Sequence, residues 1–144
     1  MQTDFELQVR SDPRLLSAVR AMISGYMRQN GFNQDRTNEI VLAVDEACAN
    51  AIRHSYEGQQ DRFLSLALRT NDTGIELELH DDGWPAPPEK TRKRELAPPT
   101  PDRLVPGGLG VQLMHQVFDE VSFTPGEKTG NCVVMRLNRP PVEG

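Results

Sequence analysis

From Trp84 to Pro106 the chain loses every hydrophobic period. Pro85, Pro87, Pro88, Pro98, Pro99, Pro101 and Pro106 fall in this stretch, and each proline fixes φ and removes a backbone donor, so no single helix or strand runs through it. Lys90, Arg92, Lys93 and Arg94 stand between them, leaving room for at most a short helix around Lys90 to Leu96. A break this long inside a compact domain is a functional lid or a disordered insert. The core must therefore be built from two blocks, one on each side.

The first block opens with Thr3 to Arg10, where apolar and polar residues alternate as in a half-buried strand. Ser11-Asp12-Pro13 then supplies a capping residue before a proline, and Leu15, Leu16, Val19, Met22, Ile23, Tyr26 and Met27 recur at helical spacing as far as Gly31. A second helical pattern begins near Gln34-Asp35, carries Ile40, Val44, Ala47 and Ala51 on one side, and ends by Gly58. Phe63 to Arg69 and Ile75 to His80 read as strands joined by the turn Asn71-Asp72-Thr73-Gly74. In the second block a helix follows Gly107-Gly108-Leu109-Gly110 to about Asp119, and strand-like runs at Glu120 to Thr124 and Asn131 to Leu137 meet through a turn from Pro125-Gly126 to Gly130. This order predicts an α+β two-layer sandwich, a mostly antiparallel mixed sheet with helices on one face, and excludes a doubly wound parallel fold. The 144 residues fit a single domain, 1–144, with the lid at 84–106.

Charge and hydropathy narrow the function classes. A net charge of -5 gives no bulk attraction for nucleic acid or an anionic membrane. The uncharged apolar runs are too short to cross a bilayer, and Met1-Gln2-Thr3-Asp4 does not begin a leader, so a soluble, cytoplasmic protein is expected. Cys48 and Cys132 lack any short Cys or His spacing and read as small buried residues.

Three segments carry chemistry. Glu46, Asn50 and His54 are four residues apart on the second helix, and steps of four advance only about 40° around a helix, so they form one stripe. A Glu there can act as a base, and an Asn can hold a hard metal ion through its amide oxygen, as the phosphate end of a magnesium nucleotide requires. Alone, such a stripe is more often a solvated helix face with local hydrogen bonds. Asp81-Asp82-Gly83 ends the strand Ile75 to His80, so Asp81 can aim a carboxylate at an exocyclic amine such as that of adenine while Gly83 lets the backbone pass closely. Gly107-Gly108-Leu109-Gly110 opens a helix and offers backbone N–H groups and the positive helix end to phosphate. It has neither the Gly-Lys-Ser/Thr ending of a Walker loop nor the preceding strand of a dinucleotide fingerprint.

In this order, and on these elements, the segments resemble the GHKL superfamily with its Bergerat ATP-binding fold. Glu46 to Asn50 match its N-box, Asp81 to Gly83 its first glycine box and Gly107 to Gly110 its second. The extended form from Asp45 through Asn50, His54 and Tyr56 looks like the small stand-alone branch: anti-sigma factors and switch-protein serine kinases of bacterial partner switching. The resemblance implies ATP bound under the lid, with Asp81 and Gly83 at adenine, Gly107, Gly108, Leu109 and Gly110 around the phosphates, and Asn50 on Mg2+. It implies Glu46 as the general base toward a serine or threonine of a STAS-domain anti-sigma factor antagonist, Arg20 serving phosphate and antagonist, and His54 in a structural role.

The implied partners are that antagonist, a sigma factor or other regulatory protein held in sequestration, and a second copy of the chain pairing through Thr3 to Arg10. Two positions depart from the pattern: Pro85 replaces a second glycine, and Asn131-Cys132 stands where many relatives carry a threonine. They motivate a second reading, an ATP-dependent binding module without turnover. The catalytic domain of a histidine kinase, or an ATPase of the same superfamily, ranks last, because the chain leaves no room for a dimerisation helix pair.

Overall fold

The computed structural model describes residues 2–92 and 108–140. A five-stranded sheet runs in the order β1-β2-β3-β5-β4, with β1 at Gln2–Arg10, β2 at Phe63–Thr70, β3 at Gly74–Asp81, β4 at Glu120–Pro125 and β5 at Asn131–Asn138. Every pairing is antiparallel, so the expected mixed sheet contains no parallel pair among the described strands. Helices α1 (Leu16–Gln29), α2 (Gln34–Asn50) and α4 (Gly108–Val117), with the single turn α3 (Pro88–Thr91), complete the fold.

Alternation along the strands divides the sheet into two faces. Leu64, Leu66 and Leu68 of β2, Ile75, Leu77 and Leu79 of β3, and Val133, Met135 and Leu137 of β5 are buried against the helices. Ile23 and Met27 from α1, Ile40 and Val44 from α2, and Met114 from α4 fill the other side of this core. The same parity brings Asp81 and Asn131, an in-register pair, onto the helix side of the sheet. It turns Glu78, His80 and Cys132 to the opposite face.

The helix ends follow local chemistry. Asp12 accepts the Arg14 N–H at 3.0 Å ahead of Pro13, and Asn33 accepts the Arg36 N–H at 2.8 Å to start α2. The second helix does not end as a regular helix. Residues Ala51–Ser55 form a wider π-type turn, closed by the Tyr56 N–H on the Ala51 carbonyl at 3.0 Å, a widening common beside functional sites. Among the described residues no helix is long and apolar enough to cross a membrane. A single helical turn, α3, spans Pro88–Thr91 and stops at the extended Arg92, so of the expected helix around Lys90 to Leu96 only the first two residues are helical, and Lys93, Arg94 and most of the lid lie outside the described residues.

Candidate functional site

The end of α2 and its wide turn run between two polar clusters. At one, Asp81 is buried at 7% exposure, and its Oδ1 accepts the Gly83 N–H and the Asn131 Nδ2–H, each at 3.0 Å. Burial pushes the Asp81 carboxyl above its usual range, while the bonds from Asn131, Gly83 and Ser55 partly oppose that shift. Gly83 is required by crowding, for a Cβ there would lie 2.1 Å from the Ser55 carbonyl oxygen. The Trp84 N–H donates to that carbonyl at 2.8 Å, and the Gly130 N–H donates to the Gly83 carbonyl at 2.7 Å. The first glycine segment is thus clamped between the wide turn and the β5 entrance.

Asn131 joins the two departures from the family pattern. Its Nδ2 donates to Ser55 Oγ at 3.0 Å and to the Trp84 carbonyl at 2.9 Å, while its Oδ1 accepts the Ala86 N–H at 2.7 Å. A carboxamide has donors and an acceptor, and here it uses both to hold the backbone on each side of Pro85. A threonine hydroxyl has fewer such groups to offer. Tyr56 adds a second latch, accepting the Asp82 N–H at 2.8 Å and donating to the Phe63 carbonyl at 2.5 Å, with the Arg62 guanidinium 4.8 Å above its ring.

The other cluster lies one helical turn earlier. Glu46 packs against the first turn of α4, where a Cβ on Gly110 would stand 2.6 Å from its Oε2. A carboxylate at a helix N-terminal turn meets the positive end of the dipole. Arg53 Nη2 donates to Asn50 Oδ1 at 2.9 Å and lies 3.7 Å from Glu46 Oε2, so a guanidinium bridges the two residues singled out from sequence. Arg20 reaches from α1 to Asp45 at 2.7 Å, one residue before Glu46. His54 is exposed in the wide turn. Gly108 and Leu109 enter as backbone of the first turn of α4, and Gly107 lies outside the described residues.

The residues present fit a magnesium nucleotide. Asp81 is a buried acceptor suited to an amine, and α4 brings a helix start toward Glu46. The carboxamide oxygen of Asn50 is a hard ligand of the kind magnesium uses alongside phosphate and water, and the Glu46 carboxylate beside it can serve as a base. Sequence reasoning missed Arg53, Ser55 and the organising role of Asn131. Arg53 carries the i+3 and i+7 spacing from Asn50 and Glu46, a signal that was legible.

An α+β sandwich with a buried carboxylate at one end and a helix-start cluster at the other defines a nucleotide-binding fold. The sequence profile of the histidine kinase-like ATPase domain matches residues 9–137, and the chain belongs to that family and binds ATP. The chain is similar to the serine-protein kinase RsbW of Bacillus subtilis (strain 168), 30% identical over 120 residues, covering 81% of this chain and 74% of that protein. RsbW of Bacillus velezensis is 30% identical over 142 residues, covering 96% and 88%. Among solved structures, the RsbU and RsbW domains of a Mycobacterium tuberculosis protein match with a TM-score of 0.62 at 15% identity, over 95% of this chain and 33% of that one. The histidine kinase domain of the Escherichia coli osmosensor EnvZ matches with a TM-score of 0.52 at 15% identity, over 100% and 94%. Both structures speak to the fold.

Proposed function

We propose that this chain, a serine-protein kinase by its kinship with the RsbW enzymes, phosphorylates a STAS-domain antagonist and sequesters a sigma factor or similar regulator in partner switching. The observation that carries the reading is the approach of Glu46 to the first turn of α4 at Gly110, with Asn50 one turn further along α2, on the helix whose wide end turn contacts Gly83. Asp81 would accept the adenine amine, and Gly83 with residues 107–110 would shape the pocket under a lid at 84–106. Magnesium, held by Asn50, would neutralise charge on the transferring phosphate. Glu46 takes the proton of the substrate hydroxyl; the serine Oγ bonds to the γ-phosphorus, the bond from that phosphorus to the bridging oxygen breaks, and ADP leaves. Arg20, oriented by Asp45, would meet the antagonist or the phosphate. A second copy would add across β1, an edge strand of the sheet, and the need for ATP puts the working protein in the cytoplasm.

The direct test is incubation with magnesium, labelled ATP and a cognate STAS-domain protein. Label on a serine or threonine of that protein, absent with Glu46→Gln, supports the assignment; no transfer above that control overturns it. One observation favours the binding-module reading, namely that Arg53 already engages both Glu46 and Asn50. That reading expects the partner's affinity to change with ATP in the absence of any transfer.

A further inference from the structure

The sheet face turned away from the helices carries a cluster outside the nucleotide pocket. His80 and Cys132 are in-register partners on β3 and β5, and Glu78 lies two residues before His80 on the same face. His80 Nε2 is 2.7 Å from Glu78 Oε1, Cys132 Sγ is 3.4 Å from that oxygen, and Cys132 Sγ is 3.6 Å from His80 Nε2. Imidazole nitrogen, carboxylate oxygen and thiol sulfur therefore face one another from two adjacent strands in the sheet interior.

We propose that Glu78, His80 and Cys132 form a binding site for a borderline-soft divalent cation of the zinc class. Zinc takes these three ligand types at about 2.0 to 2.3 Å, and a tetrahedral site with such bonds has ligand-to-ligand edges of about 3.3 to 3.7 Å. The two edges from sulfur already have that length, and the shorter Glu78 to His80 edge is a hydrogen bond that the ion would replace. A thiolate with an imidazole selects against magnesium and calcium, which prefer oxygen alone. Three protein ligands leave a fourth position for water or another ligand, and Glu78 and His80 also line a groove of about 360 Å³ together with Gln8, Ser65 and Arg69.

The surroundings orient the ligands. Arg69 pairs with Oε2 of Glu78, so the other oxygen, Oε1, is the one turned to His80 and Cys132, as outer partners commonly fix a ligating carboxylate. Burial first, and then the Glu78 hydrogen bond, push the Cys132 thiol up to about 11. Coordination therefore releases the thiol proton to solvent as the sulfur–metal bond forms. The site is independent of the kinase reading. It would nonetheless lie directly behind the pocket wall, since His80 precedes Asp81 and Cys132 follows Asn131 in the same paired strands.

The test is titration of the reduced, metal-free, nucleotide-free chain with Co2+, followed by competition with Zn2+. One equivalent should produce a thiolate-to-cobalt charge-transfer band that Zn2+ removes. Cys132→Ser should abolish the band, and His80→Gln or Glu78→Gln should each weaken affinity by at least roughly tenfold. Cys48→Ala should keep the band, because Cys48 is buried. Near-ultraviolet circular dichroism checks that each variant is folded. Absence of the band in the unaltered chain, or its persistence in folded Cys132→Ser, overturns the proposal.

Discussion

The Asp81 end and the Glu46 end of the candidate site are held by different physics. Around Asp81 the contacts are buried and mostly uncharged: backbone N–H groups, one carboxamide and a hydroxyl converge on a carboxylate, with Gly83 pressed against Ser55. Around Glu46 and Asn50 the contacts are guanidinium pairs with about half of the Arg53 side chain exposed, at 52%. Exposed ion pairs contribute only about 0–1 kcal/mol, whereas a buried polar group left unpaired costs about 1–3 kcal/mol. The first end is therefore built into the fold and the second can rearrange around a ligand. In the proposed reading one end would recognise the base and the other would exchange partners.

The sharpest division between the ends comes from Glu46→Gln. Loss of a general base should lower phosphoryl transfer about 10²- to 10⁴-fold, while thermal unfolding and ATP affinity stay near those of the unaltered protein; a large fall in melting temperature would show that the Glu46 end is structural. Gly83→Ala should do the reverse. Its Cβ would meet the Ser55 carbonyl at 2.1 Å, and overpacking against backbone costs about 3 kcal/mol, a drop on the order of 10 °C in melting temperature. Scanning calorimetry decides it, and an unchanged midpoint would deny that the Asp81 end is rigid.

Asp81→Asn should weaken ATP binding roughly 10- to 100-fold by isothermal titration, the scale of a hydrogen bond to a charged group. This substitution also carries a pH signature. Because burial raises the folded Asp81 pKa above its unfolded value, the group favours the fold below the unfolded pKa, and that contribution is lost as pH rises through the folded pKa. Unaltered protein should lose ATP affinity as acidification protonates Asp81, whereas Asp81→Asn should show a flatter profile for both affinity and stability. The smallest effect belongs to Arg53→Met. Stability should change by less than about 1 kcal/mol, with magnesium-dependent ATP affinity rising a few-fold as Asn50 and Glu46 are released. A fall in affinity would mean that Arg53 contacts the phosphates.

Much of this was legible before any coordinates. The turn at Asn71 to Gly74, the cap at Asp12, and the strand parity of β2 and β3 all express preferences within a few residues. So does the Glu46 and Asn50 spacing. Illegible were contacts between distant segments, such as Asn131 with Asp81 and Ser55, or Gly110 with Glu46. Cys132 illustrates the gap, because no local spacing links it to His80, and only the pairing of β3 with β5 brings them together.

The sequence by itself determined the element order and the faces of helices and strands, since periodicity and turn chemistry are local. Only the tertiary structure decided that β5 inserts between β3 and β4, that the wide turn after Asn50 abuts Gly83, and that Arg53 reaches Glu46 and Asn50. Strand neighbours and side-chain partners follow from how one core is closed by all the elements at once. No single window of the chain contains that information.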